Sequence, residues 1–543
     1  MSNSTRAQNL QVEANALFGK GDYSNAYLKY VEAIRSNNHD ASLYVNRAAC
    51  AIRLCMYAEA KDDAQKAVGL DPTHVKGWGR LAQACNGLRY YDESAECWRK
   101  ALAALPAECP TALEQKLKEQ CEAELKVVLE RAARAADSVA KNQETKGKMP
   151  WDRANAIEDK LKAGMPESAG SSVWVMLRAS KLWDDGVRGM MQFKVRPTPE
   201  GLQYGGCNGV LACLTNAVLT DSRVFHVDGP RWLEFYAKQV LLELSDFRTW
   251  PTRPVEEIKV EALKRQREKG RDAVCTAVHV TVCIWIMQGL VANRNQMDPQ
   301  VALRRYDDVL ELLEWGRTMS RRNVRTEEKA GMFEDYFVRG VRKLRLDALM
   351  AACGEHPSQG PEAPLQRLYD EARSIILEMP KVGSAALSDG KHEPGFILAF
   401  GVYPKACAYT MVGFYHQQMA RRCARRMDFV GVSSHFLEGY QAYWEGAILF
   451  PQDDELRAWF LHVALHMLKT SGGEYPVVLH TLEQLRLTLP GVRKIWEHSK
   501  IAEQGRDKAC EEDLQLEQKI VKDLADGKVK LEDRMLPEYF LSS

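Results

Sequence analysis

Small and aromatic side chains recur at a constant step along the first hundred residues. Tyrosine returns every 34 residues, and two sets of mostly alanine positions keep the same step. The three sets are Tyr23, Tyr57 and Tyr91; Ala26, Ala60 and Ser94; and Ala33, Ala67 and Ala101. Small side chains let one helix approach another closely, and Tyr30 between two of them would fill the groove that remains. The pattern predicts a pair of helices repeated three times.

The ends of these helices are also marked in the sequence. Gly21-Asp22 is suited to a turn inside the first unit, and Pro72 and Pro106 end the last two units because proline lacks a backbone N–H. A stack of units leaves the apolar face of its last unit uncovered. Thr111-Ala-Leu-Glu114 has the pattern of a capping box. An apolar stripe follows it at Leu113, Leu117, Cys121, Leu125 and Val128. We therefore predict a seventh helix that covers the stack.

The 34-residue unit resembles the tetratricopeptide repeat, which consists of a helix, a turn and a second helix. The resemblance implies an all-α protein with three such units and a capping helix in residues 1–140. It also implies that the first helix of each unit lines a concave surface that binds an extended peptide. A peptide-binding surface favours a binding or scaffolding protein over an enzyme.

Four polar residues lie on the predicted first helices: Asn15, Asn46, Lys76 and Arg80. They match the places where co-chaperone members of the family carry a carboxylate clamp. That clamp grips the C-terminal carboxylate and an acidic side chain of heat-shock chaperones that end in Glu-Glu-Val-Asp. The chemistry is suitable, because Lys and Arg donate charge-assisted hydrogen bonds to carboxylates and Asn donates neutral ones.

The sequence departs from the clamp pattern at the first position. The family has Lys where this chain has Gln11, and the usual Gly before the Asn is Ala14. A hydrogen bond to a charged group contributes about 1.5–3 kcal/mol, so the missing cation weakens chaperone binding or redirects the groove to another peptide. The alternative that these polar residues are structural or simply solvated stays open at this point.

The rest of the chain shows weaker signals. We predict a polar linker at residues 141–151, a helical middle region at 152–268, degenerate helical repeats at 269–500 and a charged helical tail at 501–543. The string from 172 to 192 has the apolar spacing of an amphipathic helix, and Asp228-Gly-Pro-Arg-Trp232 has the pattern of a helix start. Gly205-Gly-Cys-Asn-Gly209 lacks the residues of a phosphate-binding loop and is predicted to be a turn.

The stretch from Ala273 to Ala292 carries no formal charge and is long enough to span a bilayer. It also contains Trp285 and Gly289, with the aromatic-to-glycine spacing of a repeat's first helix, and Ala302 and Tyr306 follow at the spacing of a second helix. We therefore predict a buried repeat helix and no membrane span. The same pattern recurs less cleanly further on, with Gly340 before Tyr369 and Gly413 before Tyr443.

Composition narrows the function classes. The chain has 543 residues, with 74 Lys and Arg against 73 Asp and Glu, so bulk charge does not favour nucleic acid as a partner. The N-terminus shows no secretory signal, and the 14 cysteines form no zinc or disulfide framework. These features predict a cytosolic protein whose cysteines are mostly buried thiols, with no cofactor.

Residues that could support catalysis or bind a metal are few. His462 and His466 have metal-ligand spacing on one helix face, but Val463 stands where a zinc protease has its catalytic Glu, and no third ligand is evident. Three functions remain open. We expect an adaptor that captures a chaperone C-terminus; the alternatives are a scaffold for an unrelated peptide and an unrecognised enzyme in the C-terminal region.

Overall fold

Helix pairs follow the 34-residue step in the computed structural model. The model describes residues 3–54, 56–106, 111–198, 201–227, 232–295, 298–321, 331–354, 356–380 and 392–536. The repeat helices are α1 (Asn3–Gly19), α2 (Tyr23–Ser36), α3 (Ala41–Arg53), α4 (Tyr57–Leu70), α5 (Val75–Gly87) and α6 (Tyr91–Ala103). Each recurring tyrosine is the first residue of a second helix. All six recurring small residues are 0% exposed: Ala26, Ala33, Ala60, Ala67, Ser94 and Ala101. Their predicted place in the contacts between helices is confirmed.

Local hydrogen bonds set the helix ends. Gly21 has a φ of +82°, a conformation that favours glycine, and the Asp22 side chain then accepts from the backbone N–H of Asn25. The predicted seventh helix is α7 (Ala112–Glu144). The side chains of Thr111 and Glu114 form the predicted capping box, each accepting from the other's backbone N–H.

The stripe on α7 is only partly buried. Cys121 and Val128 are 4% and 0% exposed and belong to the core of the second and third repeats. Leu113, which the spacing placed in the same stripe, is 66% exposed. The first turn of α7 therefore extends beyond the repeats that the helix covers. The prediction that Leu113 belongs to the buried stripe was wrong.

The chain divides into two compact units that interleave along the sequence. The first unit comprises Met1–Glu144, Asp185–Thr215 and His226–Lys329, and the second comprises Thr145–Asp184, Asn216–Phe225 and Ala330–Ser543. The predicted middle region, 152–268, thus supplies residues to both units. Residues 141–144, which we assigned to a linker, still belong to α7, and the turn lies at 145–148.

Further helices follow between these segments. They are α8 (Pro150–Ala156), α9 (Glu158–Ala163), α10 (Val173–Met190), α11 (Val210–Thr220), α12 (Trp232–Phe247), α13 (Val255–Lys269), α14 (Arg271–Asn295) and α15 (Pro299–Arg321). One antiparallel hairpin, β1 (Lys194–Thr198) and β2 (Gly201–Gly205), interrupts the otherwise all-α fold of the described chain. The predicted helix near 172–192 is α10, and the glycine-rich turn leads from β2 to α11. Residues 228–231 of the predicted helix start lie outside the described residues.

The uncharged stretch predicted to be a buried repeat helix lies within α14. Trp285 is fully buried, and a Cβ atom added to Gly289 would lie 2.8 Å from the Tyr306 ring of α15. The predicted buried helix and the second helix that follows it are confirmed. Two helices, Arg271–Arg294 and Pro394–Arg425, are long and apolar enough to cross a membrane, with 83% and 61% of their most apolar windows buried. Buried core helices meet the same criterion, so length and composition are weak evidence for a span.

The second unit continues with a longer series of helices. They are α16 (Asp335–Ala352), α17 (Ala363–Glu378), α18 (Pro394–Ile397), α19 (Tyr403–Arg425), α20 (Phe429–Leu449), α21 (Glu455–Ser471), α22 (Tyr475–Trp496), α23 (Lys500–Glu503) and α24 (Arg506–Ala525). A π-helical turn, Leu398–Val402, joins α18 to α19. A Cβ atom added to Gly413 would lie 2.7 Å from the Tyr443 ring, as the repeat pattern predicts.

Long-range contacts shape the rest of this unit. A Cβ atom added to Gly340 would lie 3.2 Å from Leu219 and from Phe400. The predicted charged tail is helical and partly buried, because Arg506 and Cys510 of α24 are 0% exposed. Residues 537–543 of the tail lie outside the described residues.

Candidate functional site

The five predicted clamp residues lie on the first helices of the three repeats. Gln11 and Asn15 are four residues apart on α1 and therefore share a face. Asn46 lies on α3, and Lys76 and Arg80 lie on α5. Helices α3 and α5 pack against each other, so the polar groups of the second and third repeats belong to neighbouring helices.

A glycine lets α5 approach α3. A Cβ atom added to Gly77 would lie 3.6 Å from Val45 of α3 and 3.1 Å from Val68 of α4. Gly77 is therefore packed between two helices. Its neighbour Lys76 is exposed, and Arg80 is partly buried one turn further along. The close approach keeps both cations beside the face of α3.

The side chain of Asn15 is oriented by a buried tyrosine. The hydroxyl of Tyr30 donates a hydrogen bond of 2.5 Å to the Asn15 Oδ1 atom. Because this bond engages the amide oxygen, the Nδ2 group is directed to the other side of the amide and can donate to a ligand. Asn15 itself is exposed. Tyr30 thus fixes the orientation of the Asn15 amide.

Arg80 carries its charge without a carboxylate partner in the described part of the chain. Its Nη1 atom donates to Gln83 Oε1 at 2.8 Å, and its Nε atom is buried with no hydrogen-bond partner. Burial, together with the nearby Arg53 cation, holds the pKa of the Arg80 guanidinium below its usual value. A partly buried cation without a counterion is stabilised by an arriving anion.

Arg47 shows the contrasting arrangement one residue after Asn46. Its Nη2 and Nε atoms donate to the two carboxylate oxygens of Asp63 at 2.6 and 2.8 Å. This bidentate ion pair joins α3 to α4 and satisfies both groups. For Lys76, in contrast, the described residues provide no ion pair. Arg47 therefore stabilises the repeat, whereas Lys76 and Arg80 are available to a ligand.

The first clamp position carries no cation, as expected from Gln11. Gln11 is partly exposed on the same helix face as Asn15, and the adjacent Ala14 is fully buried in a core that includes Ala26 and Tyr30. The alanine therefore fills space inside the repeat and leaves the groove unchanged. Peptide binding by Gln11 and the other four residues stays a prediction.

Sequence reasoning missed three residues of this site: Tyr30 as the partner of Asn15, Gln83 as the partner of Arg80, and Arg53 as a further cation. Arg53 follows Asn46 by seven residues, so helical periodicity places both on one face of α3. That spacing was a signal that could have been used. The two hydrogen bonds depend on side-chain orientation, which spacing does not determine.

The predicted histidine pair is explained by packing. His462 Nδ1 lies 2.6 Å from Asp513 Oδ2 of α24, and His466 is exposed one turn further along α21. Within the described residues, no group of three or more His, Cys, Asp or Glu side chains could hold a metal ion. His462 therefore contributes to the attachment of α24.

Part of the chain is similar to curated proteins. A 96-residue segment is 38% identical to "Hsp70-Hsp90 organizing protein 1" of Glycine max, covering 18% of this chain and 17% of that protein. The N-terminal domain is a tetratricopeptide-repeat domain. A 111-residue segment is 36% identical to "Zinc finger CCCH domain-containing protein 7B" of Homo sapiens, covering 18% of this chain and 11% of that protein. No family model matches the chain.

Solved structures were found that are similar to the chain. The myosin chaperone UNC-45 from C. elegans, solved in complex with an Hsp70 peptide, covers 97% of this chain and 70% of its own. The sequence identity is 16% and the TM-score is 0.26. The chain itself spans less than a fifth of the length of the two curated relatives.

Proposed function

We propose that the tetratricopeptide domain binds an extended peptide with a free C-terminal carboxylate and a neighbouring acidic side chain. The acidic C-terminus of a heat-shock chaperone has this chemistry. The main support is Arg80, a partly buried cation with a buried Nε atom that lacks a partner and with Arg53 nearby. A carboxylate would supply the missing acceptor and relieve the repulsion between the two cations.

The remaining clamp residues are suited to the same ligand. Lys76 adds a second cation on α5, and Asn15 and Asn46 offer amide donors on α1 and α3. The name of the Glycine max relative, which is 38% identical over 96 residues, refers to Hsp70 and Hsp90. Since the match covers 17% of that relative, the role of the whole chain as a chaperone adaptor is part of the proposal.

We further propose a cytosolic adaptor that works by binding and not by catalysis. The described cysteines are free thiols, which suits the reducing conditions of the cytosol. The site combines amide donors and cations for an anion.

The test is isothermal titration calorimetry of the full-length protein with a peptide ending in Met-Glu-Glu-Val-Asp. The same peptide with an amidated C-terminus is the matched control. We expect micromolar binding of the free acid and a loss of about ten-fold or more on amidation, since one charge-assisted contact contributes about 1.5–3 kcal/mol. Failure of both peptides to bind would reject the chaperone ligand.

Two variants assign the binding to the groove. Arg80→Gln and Lys76→Ala should each lower the affinity for the free-acid peptide by about ten-fold or more. The control is Arg99→Gln on α6, whose side chain is 55% exposed and forms an ion pair with Glu96 at 3.6 Å. If the control and the groove variants lose affinity equally, the peptide binds elsewhere.

One observation favours a second candidate. Gln11 replaces the cation of the family pattern, so the α1 end of the groove has an amide where the clamp has a charge. A scaffold that binds an internal peptide segment would need no terminal carboxylate there. Equal affinity for the free and amidated peptides would support this candidate.

A further inference from the structure

The turn between α19 and α20 exposes large apolar side chains. Met427 and Val430 are 76% and 83% exposed, and Phe429 between them is 57% exposed. The next apolar residue along α20, Val432, is 2% exposed and belongs to the core of the second unit. The three exposed side chains lie outside this core. We call residues 427–430 the α19–α20 tip.

The backbone of the tip carries a methionine where glycine would be easier to accommodate. Met427 has a φ of +57°, a left-handed conformation that disfavours a side chain. Its N–H donates to the Ala424 carbonyl oxygen at 3.1 Å, and the Asp428 N–H donates to the Cys423 carbonyl oxygen at 3.0 Å. These bonds end α19 and could form equally with glycine. The methionine side chain is mostly exposed, so its apolar surface is available to a partner outside the chain.

The surroundings of the tip are positively charged. The four arginines at the end of α19 are Arg421, Arg422, Arg425 and Arg426. Asp428 is the only acidic residue in the sequence from 403 to 437. Its carboxylate accepts from the backbone N–H of Gly431 at 2.9 Å and caps α20. The cations therefore outnumber the acidic groups in the segment that carries the tip.

Two of the four arginines are used within the protein, and two are not. Arg422 and Arg425 donate hydrogen bonds to carbonyl oxygens of the loop at 357–361, at distances of 2.5–2.8 Å. Arg421 and Arg426 are exposed, and the described part of the chain offers them no ion pair. These two cations are available to an anionic partner.

We propose that the α19–α20 tip binds the surface of a membrane that contains anionic lipids. The side chains of Met427, Phe429 and Val430 enter the boundary between headgroups and acyl chains, and Arg421 and Arg426 contact the anionic headgroups. The bilayer is held at its surface and is not crossed. This site is independent of peptide binding in the groove.

The size of the apolar surface favours a membrane over a protein partner. Each partner of a standard protein interface contributes about 800 Å², and three side chains at one turn cannot supply such an area. A membrane surface needs no matching shape. Its binding strength grows with the apolar area inserted and with the attraction between cations and anionic lipids. The tip supplies both contributions.

The test is flotation of the full-length protein with lipid vesicles through a density gradient. One set of vesicles is phosphatidylcholine alone, and the other contains about 30% phosphatidylserine to supply negative charge. We expect binding to the anionic vesicles only, with a bound fraction that falls several-fold between about 0.1 and 0.5 M salt. No binding to the anionic vesicles, or equal binding to both sets, would overturn the proposal.

Two variants with matched controls assign the binding to the tip. Phe429→Ser should lower the affinity for anionic vesicles by about ten-fold, and its control is Leu377→Ser at a leucine of α17 that is 76% exposed. Arg426→Glu should lower the affinity by about ten-fold or more. Its control, Lys508→Glu on α24, makes the same change in net charge at a side chain that is 85% exposed. Equal losses in the tip variants and their controls would overturn the proposal.

A third variant separates membrane binding from folding. Met427→Gly removes an apolar side chain and suits the left-handed backbone, so the unfolding temperature should be unchanged or higher. The affinity for anionic vesicles should nevertheless fall by several-fold. Near-ultraviolet circular dichroism reports whether each variant is folded. Unchanged vesicle binding by folded Met427→Gly and Phe429→Ser would also overturn the proposal.

Discussion

Two arginines of the tetratricopeptide domain show how the surroundings decide the role of a side chain. Arg47 is paired with Asp63 at 2.6 Å, whereas Arg80 has no carboxylate partner in the described residues. We expect Arg47→Gln to lower the free energy of unfolding by about 3 kcal/mol, because it leaves the buried Asp63 carboxylate unpaired. Arg80→Gln should change it by less than about 0.5 kcal/mol. Urea denaturation of both variants is the measurement; equal losses would contradict the assigned roles.

The first clamp position allows a gain-of-affinity experiment. Gln11 is partly exposed on the same face of α1 as Asn15, so a lysine there has access to solvent and to the groove. If the groove binds a terminal carboxylate, Gln11→Lys should raise the affinity for the Met-Glu-Glu-Val-Asp peptide by about ten-fold. Calorimetry measures the change. Lys20→Gln, at an exposed position in the turn after α1, is the control. No gain from Gln11→Lys would contradict a carboxylate near α1.

The raised pKa of Glu59 predicts how the stability of the fold depends on pH. Its folded-state pKa of about 7 lies above the ordinary value of about 4.3, so the folded protein holds this proton more tightly than the unfolded chain. Its contribution to stability is therefore present below the unfolded pKa and is lost as the pH rises towards 7. Burial, together with Asp62 and Asp63 on α4, opposes the ionisation of Glu59.

The measurement is urea denaturation of wild type and Glu59→Gln at pH 5 and pH 8. The variant cannot ionise at this position. Relative to the variant, wild type should lose about 1–3 kcal/mol between the two pH values, the lower figure applying if solvent screens the partly buried carboxylate. A difference that does not change with pH would show that Glu59 titrates normally.

At the scale of helices, the repeat pattern places small residues where consecutive helices pack together. Gly289 packs against Tyr306 and Gly413 against Tyr443 in this way. Gly340 packs against Leu219 and Phe400. Leu219 is more than a hundred residues away in sequence, and local spacing contains no information about such a partner.

The packing of α19 against α20 can be tested at Gly413. A Cβ atom would lie 2.7 Å from the Tyr443 ring, so Gly413→Ala requires one of the two helices to shift. We expect a loss of about 1–3 kcal/mol in the free energy of unfolding. The control is Gly69→Ala on α4, where a Cβ atom meets nothing within 4 Å. Alanine is the better helix former, so the control should be neutral or stabilising. Similar losses in both variants would contradict this account.

At the scale of the whole molecule, the sequence predicted helices better than it predicted how they assemble. The 34-residue step and the capping box placed α1 to α7 almost correctly, because they depend on contacts between neighbouring elements. The two interleaved units could not be predicted in the same way. The helical middle region appeared uniform in sequence, yet its residues 185–215 and 216–225 belong to different units.

The second unit is held together by ion pairs between distant parts of the chain. Arg223 forms ion pairs with Asp221 at 2.7 Å and with Asp454 at 2.9 Å, and its guanidinium lies 4.0 Å from the centre of the Trp496 ring. Asp454 is 0% exposed. Arg506 forms a second buried pair, with Glu455 at 3.0 Å. These contacts join α21, α22 and α24 to the short segment around residue 223.

Removing the cation of this network tests whether each unit folds on its own core. Arg223→Met leaves Asp221 and Asp454 buried without their main partner, which should cost about 3–5 kcal/mol. The control Arg493→Met removes an ion pair whose arginine side chain is 47% exposed and should cost less than about 1 kcal/mol.

Because Arg223 belongs to the second unit, thermal unfolding of Arg223→Met should separate into two transitions. Binding of the Met-Glu-Glu-Val-Asp peptide to the first unit should persist after the first transition. A single transition that abolishes peptide binding would show that the two units unfold together.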